Sequence, residues 1–246
     1  KAEIRMPVGA SWVYPAPYVK WRCIFPNDER MYRRFEKRSK EKFEALYETM
    51  LRLKLNVLEV GPLHKFPQQA GENNALKRAR AAHKYGIALT NHHIYALGAG
   101  LRHWQAYWQY IHGKEVPPLS MQTFNRADMR TFWEDHIQWI LEEGFEMIWS
   151  IGFRGLGDQP WFTALEDAPE SDFDRARMME EMMAFQVGVL EDVAGPDVTM
   201  RTQLYDEGGD FFASGALRPP ADPRIIWSFA DTPFCHYPNR DIMTYT

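Results

Sequence analysis

The sequence predicts an α/β protein of the (β/α)8 TIM-barrel class, closed within this chain only if the N-terminal stretch adds a strand. Three observations lead there. Short β-branched or aromatic runs alternate with charged loops and then with helical patterns, the signature of βα units around a parallel sheet. No GxGxxG or GxxxxGK(S/T) loop marks an open nucleotide-binding sheet. The length, 246 residues, matches the about 250 that such a barrel commonly needs.

The elements follow in order. WRCIF, residues 21–25, is the first strand, and a helix over about 32–53 carries Phe43, Leu46, Tyr47, Met50 and Leu51 at helical spacing. NVLEV, 56–60, is the second strand. A helix over about 72–85 ends before Gly86, and residues 87–92 form strand three. An aromatic helix near 101–111 leads to a longer one whose stripe is Phe132, Trp133, His136, Ile137, Ile140 and Leu141, stopped by Gly144. Strand four is 146–152. The helix over about 173–193 buries Met178, Met179, Met182, Met183, Gln186, Val189 and Leu190 by the same spacing. Strand five, 198–205, runs into a short helix or turn over DEGGDFFASG, and strand six is 224–231. That makes six units. Either KAEIRMPVGASWVYPAPY supplies a further strand or the barrel is incomplete, and with no repeat or linker the whole of 1–246 reads as one domain.

Composition excludes several functions. The 29 basic and 33 acidic side chains, net −4, leave no basic footprint for nucleic acid. The chain is 45% hydrophobic, enough for a core, yet no apolar run approaches the roughly 20 residues of a membrane span. Cys23 and Cys235 fit neither a disulfide framework nor a zinc spacing. A start at Lys1, with neither initiator methionine nor signal peptide, reads as a processed or excised piece.

Acidic residues fall where strands end: Asp28 and Glu29 after strand one, Asp158 after four, Asp206 and Glu207 after five, Asp231 after six. In a parallel barrel the βα loops converge on that face and carry the chemistry. SIGFRGLGDQPWF therefore holds the sharpest candidates. Arg154 can grip an anion through its planar fork and keep nearby Asp158 ionised, which suits a general base. The alternative is a glycine-rich turn stapled by a local ion pair. Glu207 either works with Asp158, since glycoside hydrolysis needs two carboxyls, or serves as a helix N-terminal charge. His92 and His93 end strand three as donors to a polar ligand or, with Asp28, Asp158, Asp231 and His236, as metal ligands. Most of the aromatic residues, Trp104, Tyr107, Trp108 and Tyr110 among them, are packing. Trp161 and Phe162, on the active-face loop, are candidates for stacking on a sugar ring.

FPNDER, ALYETMLRLKLNVLEV, KYGIALTNHH, SIGFRGLGD and LYDEGGDFFASGAL, in this order, resemble the catalytic barrel of glycoside hydrolase family 115, the xylan α-glucuronidases. The resemblance spans roughly Trp21 to Pro238. It implies an inverting hydrolase that removes glucuronic acid or its 4-O-methyl ether from xylan, without metal or cofactor, and hence an extracellular or periplasmic protein with a polysaccharide partner. Glu207 is then the general acid, with a raised pKa, and Asp158 the residue that positions the attacking water, its pKa ordinary or depressed. Arg154 contacts the uronate or orders Asp158. Asp28 and Glu29 of the NDE loop, His92, His93, Tyr205, Trp161 and Asp231 complete the substrate contacts. The chain departs from the family pattern at Ile94, where Glu is usual, in FADTPFCHYP after strand six, and at Glu59, where an aromatic residue is expected. The departure after strand six keeps open a carbohydrate-binding barrel without turnover, and a further alternative is a metal-dependent sugar isomerase or hydrolase on His92, His93, Asp158 and Asp231.

Overall fold

The computed structural model describes residues 9, 11, 15, 17–25, 40–65, 73–120, 126–152, 154–165, 167–218 and 220–229. Six parallel strands lie side by side in sequence order: β1 (Cys23–Ile24), β2 (Val57–Val60), β3 (Ala88–Asn91), β4 (Met147–Ile151), β5 (Thr199–Leu204) and β6 (Ile225–Phe229). Every neighbouring pair is parallel, so each connection is a crossover. The helices are α1 (Lys40–Arg52), α2 (Asn73–Lys84), α3 (Arg126–Glu142), α4 (Asp172–Ala194) and α5 (Glu207–Ala213), with short helical turns between β3 and α3. The sheet curls into an incomplete barrel. Of the two forms the sequence leaves open, the described residues fit the incomplete one; a full (β/α)8 barrel is not seen in them, and most of the N-terminal stretch lies outside them.

Period-2 alternation separates two apolar regions. Leu58, Val60, Leu89, Trp149, Ile151, Met200 and Leu204 face the helices and belong to the main core. On the inner face Val57, Ala88 and Ile148 form a small apolar floor, flanked by Trp21 and Ile226. Further toward the strand ends the inner face turns polar, with Glu59, Thr90, Ser150 and Arg201 all buried.

Among the described residues the helical stripes match their spacing with three exceptions, Met178 of α4, which is only half-buried, and one leucine in each of α1 and α3; the Phe43 side chain lies outside the described residues. In α1, Leu46, Tyr47 and Met50 are buried, but Leu51 is 43% exposed. In α3, Met129, Phe132, Trp133, His136, Ile137 and Ile140 are buried, while Leu141 is 36% exposed. Each leucine is rotated one residue beyond a buried neighbour, to the solvent edge of its stripe. Ser171 caps α4 by accepting the Asp174 N–H at 3.1 Å, and Gly195, at φ +88°, ends it.

The aromatic segment is not one α-helix. A 3-10 turn (Leu101–His103), an α turn (Trp104–Ala106) and a π turn (Tyr107–Ile111) follow one another. Large side chains are anchored here: Trp104 Nε1–H donates to the Pro117 carbonyl at 2.7 Å, and Tyr107 O–H donates to Asp135 Oδ2 at 2.8 Å. The wider π turn suits Tyr107 and Trp108, both buried, while Tyr110 is exposed.

His64, His103 and His136 gather behind the sheet, with the His64 and His103 rings 4.7 Å apart. Burial pushes His103 down to about 3 and His136 to about 4. A base whose folded pKa is depressed stabilises the fold above its unfolded pKa of about 6.5, because below that only the unfolded chain takes up the proton. Stability should therefore fall as pH drops from 6.5 to 4. Urea unfolding of His136→Gln should show a shallower pH slope than the parent over this window, and parallel slopes would contradict the assignment.

Candidate active site

The site is built where β4 and β5 end. Gln186 of α4 reaches the strand end from behind: its Oε1 accepts the Gly152 N–H at 2.6 Å and its Nε2 donates to the Gly152 carbonyl at 3.0 Å. Both bonds are buried, so this glutamine fixes the point at which the chain leaves the sheet. Gly152, at φ +90°, turns it. The following loop closes through Gly155 N–H to the Gln159 carbonyl at 2.9 Å. A β-carbon on Gly155 would stand 2.7 Å from the Pro160 carbonyl oxygen, so only glycine fits.

This loop places Arg154, 4% exposed, among three carboxylates. Nη1 bonds Glu207 Oε2, and Nη2 donates to the Asp158 carbonyl at 2.8 Å. Nη2 also lies 3.4 Å from Asp158 Oδ1 and 3.4 Å from Asp206 Oδ2. The guanidinium sits over the Tyr205 ring, 5.0 Å from its centroid. The nearest carboxylate to Arg154 is thus Glu207 rather than its sequence neighbour Asp158.

The two carboxyls proposed for chemistry have different surroundings. Glu207, the first residue of α5, is buried, and its second oxygen accepts the Trp161 N–H at 3.3 Å. Asp206, just before it, holds φ +49°, an uncommon conformation for a residue other than glycine and a local strain at the turn that presents Glu207. The Asp158 side chain is 54% exposed, and His93 Nε2 lies 2.8 Å from its Oδ1. Burial pushes His93 down despite Asp158, and pushes His92 down to about 3, helped by His93 beside it. Both imidazoles are neutral near pH 7, so His93 donates through Nε2–H to Asp158. The His92 ring is tilted against His93 with centroids 3.8 Å apart, and the Tyr205 ring lies 4.7 Å from His93.

Arg154, Asp158, His92, His93, Tyr205 and Glu207 therefore come together. Trp161 does not play the part foreseen for it. Its ring is fully buried in the main core, so it cannot stack on a sugar, and its share in the site is its backbone N–H. Phe162 is covered by the Arg175 guanidinium, 3.9 Å from its centroid. Asp28, Glu29, Asp231 and His236 lie outside the described residues. Among the described residues no group of three or more His, Cys, Asp or Glu side chains is arranged to hold a metal ion.

Two features went unassigned in sequence. Gln186 was visible as a polar residue inside an apolar stripe. Glu59 and Arg201 are an ion pair at 2.6 Å across the inner face, from β2 to β5, signalled only by one charge in each of two otherwise uncharged strands.

Paired carboxyls at the C-terminal ends of adjacent parallel strands, held by arginine and histidine, are an arrangement compatible with glycoside hydrolysis. The chain belongs to glycosyl hydrolase family 115, whose model matches residues 15–239. No curated protein matches the chain.

Arg154→Met should destabilise the protein by about 3–5 kcal/mol, because it strands Glu207 as a buried unpaired charge. Adding Glu207→Gln should restore most of that loss in denaturant unfolding. Simple additivity of the two changes would show that the pair is not coupled.

Proposed function

We propose that this glycoside hydrolase removes glucuronic acid or 4-O-methylglucuronic acid side chains from xylan or a related plant polysaccharide, with inversion. Glu207 protonates the glycosidic oxygen as the bond from that oxygen to the anomeric carbon breaks. A water on the opposite face attacks the same carbon and gives its proton to Asp158. Solvent exchange then restores both carboxyls. A polymer of plant cell walls as substrate implies an extracellular or periplasmic enzyme.

The observation that carries this reading is the contrast between the two carboxyls. Asp158 has one oxygen engaged by His93 and Arg154, while its other oxygen makes no hydrogen bond among the described residues and the side chain is half exposed, as a base facing water requires. Glu207 is enclosed beside Arg154. A guanidinium favours the charged form of a bonded carboxylate, so the acid role needs Arg154 to be drawn away. An incoming uronate carboxylate is a fitting competitor, and it couples substrate binding to release of Glu207.

Glucuronoxylan oligosaccharides should yield free uronic acid with the parent protein. Glu207→Gln and Asp158→Asn should each lower kcat by about 10²–10⁴. Proton NMR of the first product should show the β anomer from an α-linked substrate. An initial α anomer would overturn inversion, and an unchanged rate in either variant would remove that residue's role.

A further inference from the structure

We propose that Glu59 and Arg201 form the floor of the sugar pocket and bind one ring hydroxyl of the substrate; this rests on the glycosidase reading above. The inner face of a β/α barrel is normally packed with apolar side chains, as Val57, Ala88 and Ile148 are here. Above that floor the chain instead spends a charged pair. Such a pair rarely stabilises a fold better than apolar side chains of the same volume, so its presence calls for a use.

The pair is incompletely satisfied. Arg201 Nη2 bonds Glu59 Oε2 at 2.6 Å, Gln203 Oε1, and the Asn91 carbonyl at 3.4 Å. Glu59 Oε1 and Arg201 Nε, both buried, have no hydrogen bond among the described residues. They leave one acceptor and one donor, and a hydroxyl offers the complementary donor and acceptor. Glu59 is 4% exposed and Arg201 9%, so bulk water does not satisfy these atoms.

Their position favours substrate. Arg201 and Arg154 both lie near enough to act electrostatically on His92 and His93, and His93 in turn bonds Asp158. The Asn91 carbonyl that Arg201 meets directly precedes His92 in the chain and also accepts the Ser150 hydroxyl at 2.7 Å. The floor thus touches the same strand end that carries the histidines.

The test is a cycle between protein and sugar. Binding of glucuronic acid and its 2-deoxy, 3-deoxy and 4-deoxy analogues is measured by calorimetry on the parent, Glu59→Gln and Arg201→Lys, with unfolding midpoints recorded for each. One analogue should bind the parent about tenfold more weakly than glucuronic acid, and Glu59→Gln should lose nothing further with that analogue. Arg201→Lys, which keeps the charge and lacks Nε–H, should behave alike. If every deoxy analogue loses the same factor in parent and variants, the pair is structural and the proposal falls while the glycosidase reading stands. A parent that binds none of these sugars and releases no uronic acid overturns both.

Discussion

A buried guanidinium must be paired, and Arg154 is paired with three carboxylates from two strand ends. That requirement organises the site. Coulomb attraction in a water-poor setting draws the loop after β4 against the turn after β5, while Gln186 holds the start of the loop and Gly155 lets it close. Asp158 is presented to solvent because its partners take one oxygen only. Glu207 is enclosed because both of its oxygens are taken. One cation thereby creates two unlike carboxyl environments within one cleft, which is what acid and base chemistry at a single pH asks of a protein.

The same logic recurs one layer down. Glu59 and Arg201 span the concave face from β2 to β5, tying strands that are not neighbours and supporting the curl of the sheet. Burial raises the Glu59 carboxyl while Arg201 opposes the shift. The inner face therefore grades from apolar floor to charged pair to histidines to the carboxyl cluster. Polarity rises along the barrel toward the end where a polar ligand would enter.

Much of the fold was legible in the sequence because hydrophobic period tracks burial. The runs around VLEV and MIWSI have both faces covered and read as strands that are apolar but for Glu59 and Ser150, and most of the methionine-rich stripe of α4 lies where its spacing put it. Leu51 and Leu141 escaped because spacing locates a stripe without marking its edges. The π turn at Tyr107 escaped because it depends on tertiary anchors such as Asp135. In the site, Asp158 and Glu207 were legible from their position after strands. Which of them Arg154 bonds most closely was not, since proximity in sequence favoured Asp158 while the fold brought in Glu207 from 53 residues away. Trp161 read as exposed because loops usually are, yet this loop folds its aromatic residue back into the core.

If Glu207 and Asp158 flank one glycosidic bond with Arg154 between substrate and acid, a crystal structure of Glu207→Gln soaked with an aldouronic oligosaccharide should show it. The glycosidic oxygen should lie within hydrogen-bond reach of the substituted side chain, with a water held by Asp158 on the opposite face of the sugar and the uronate on Arg154. An oligosaccharide bound with its scissile bond out of reach of both residues would contradict it.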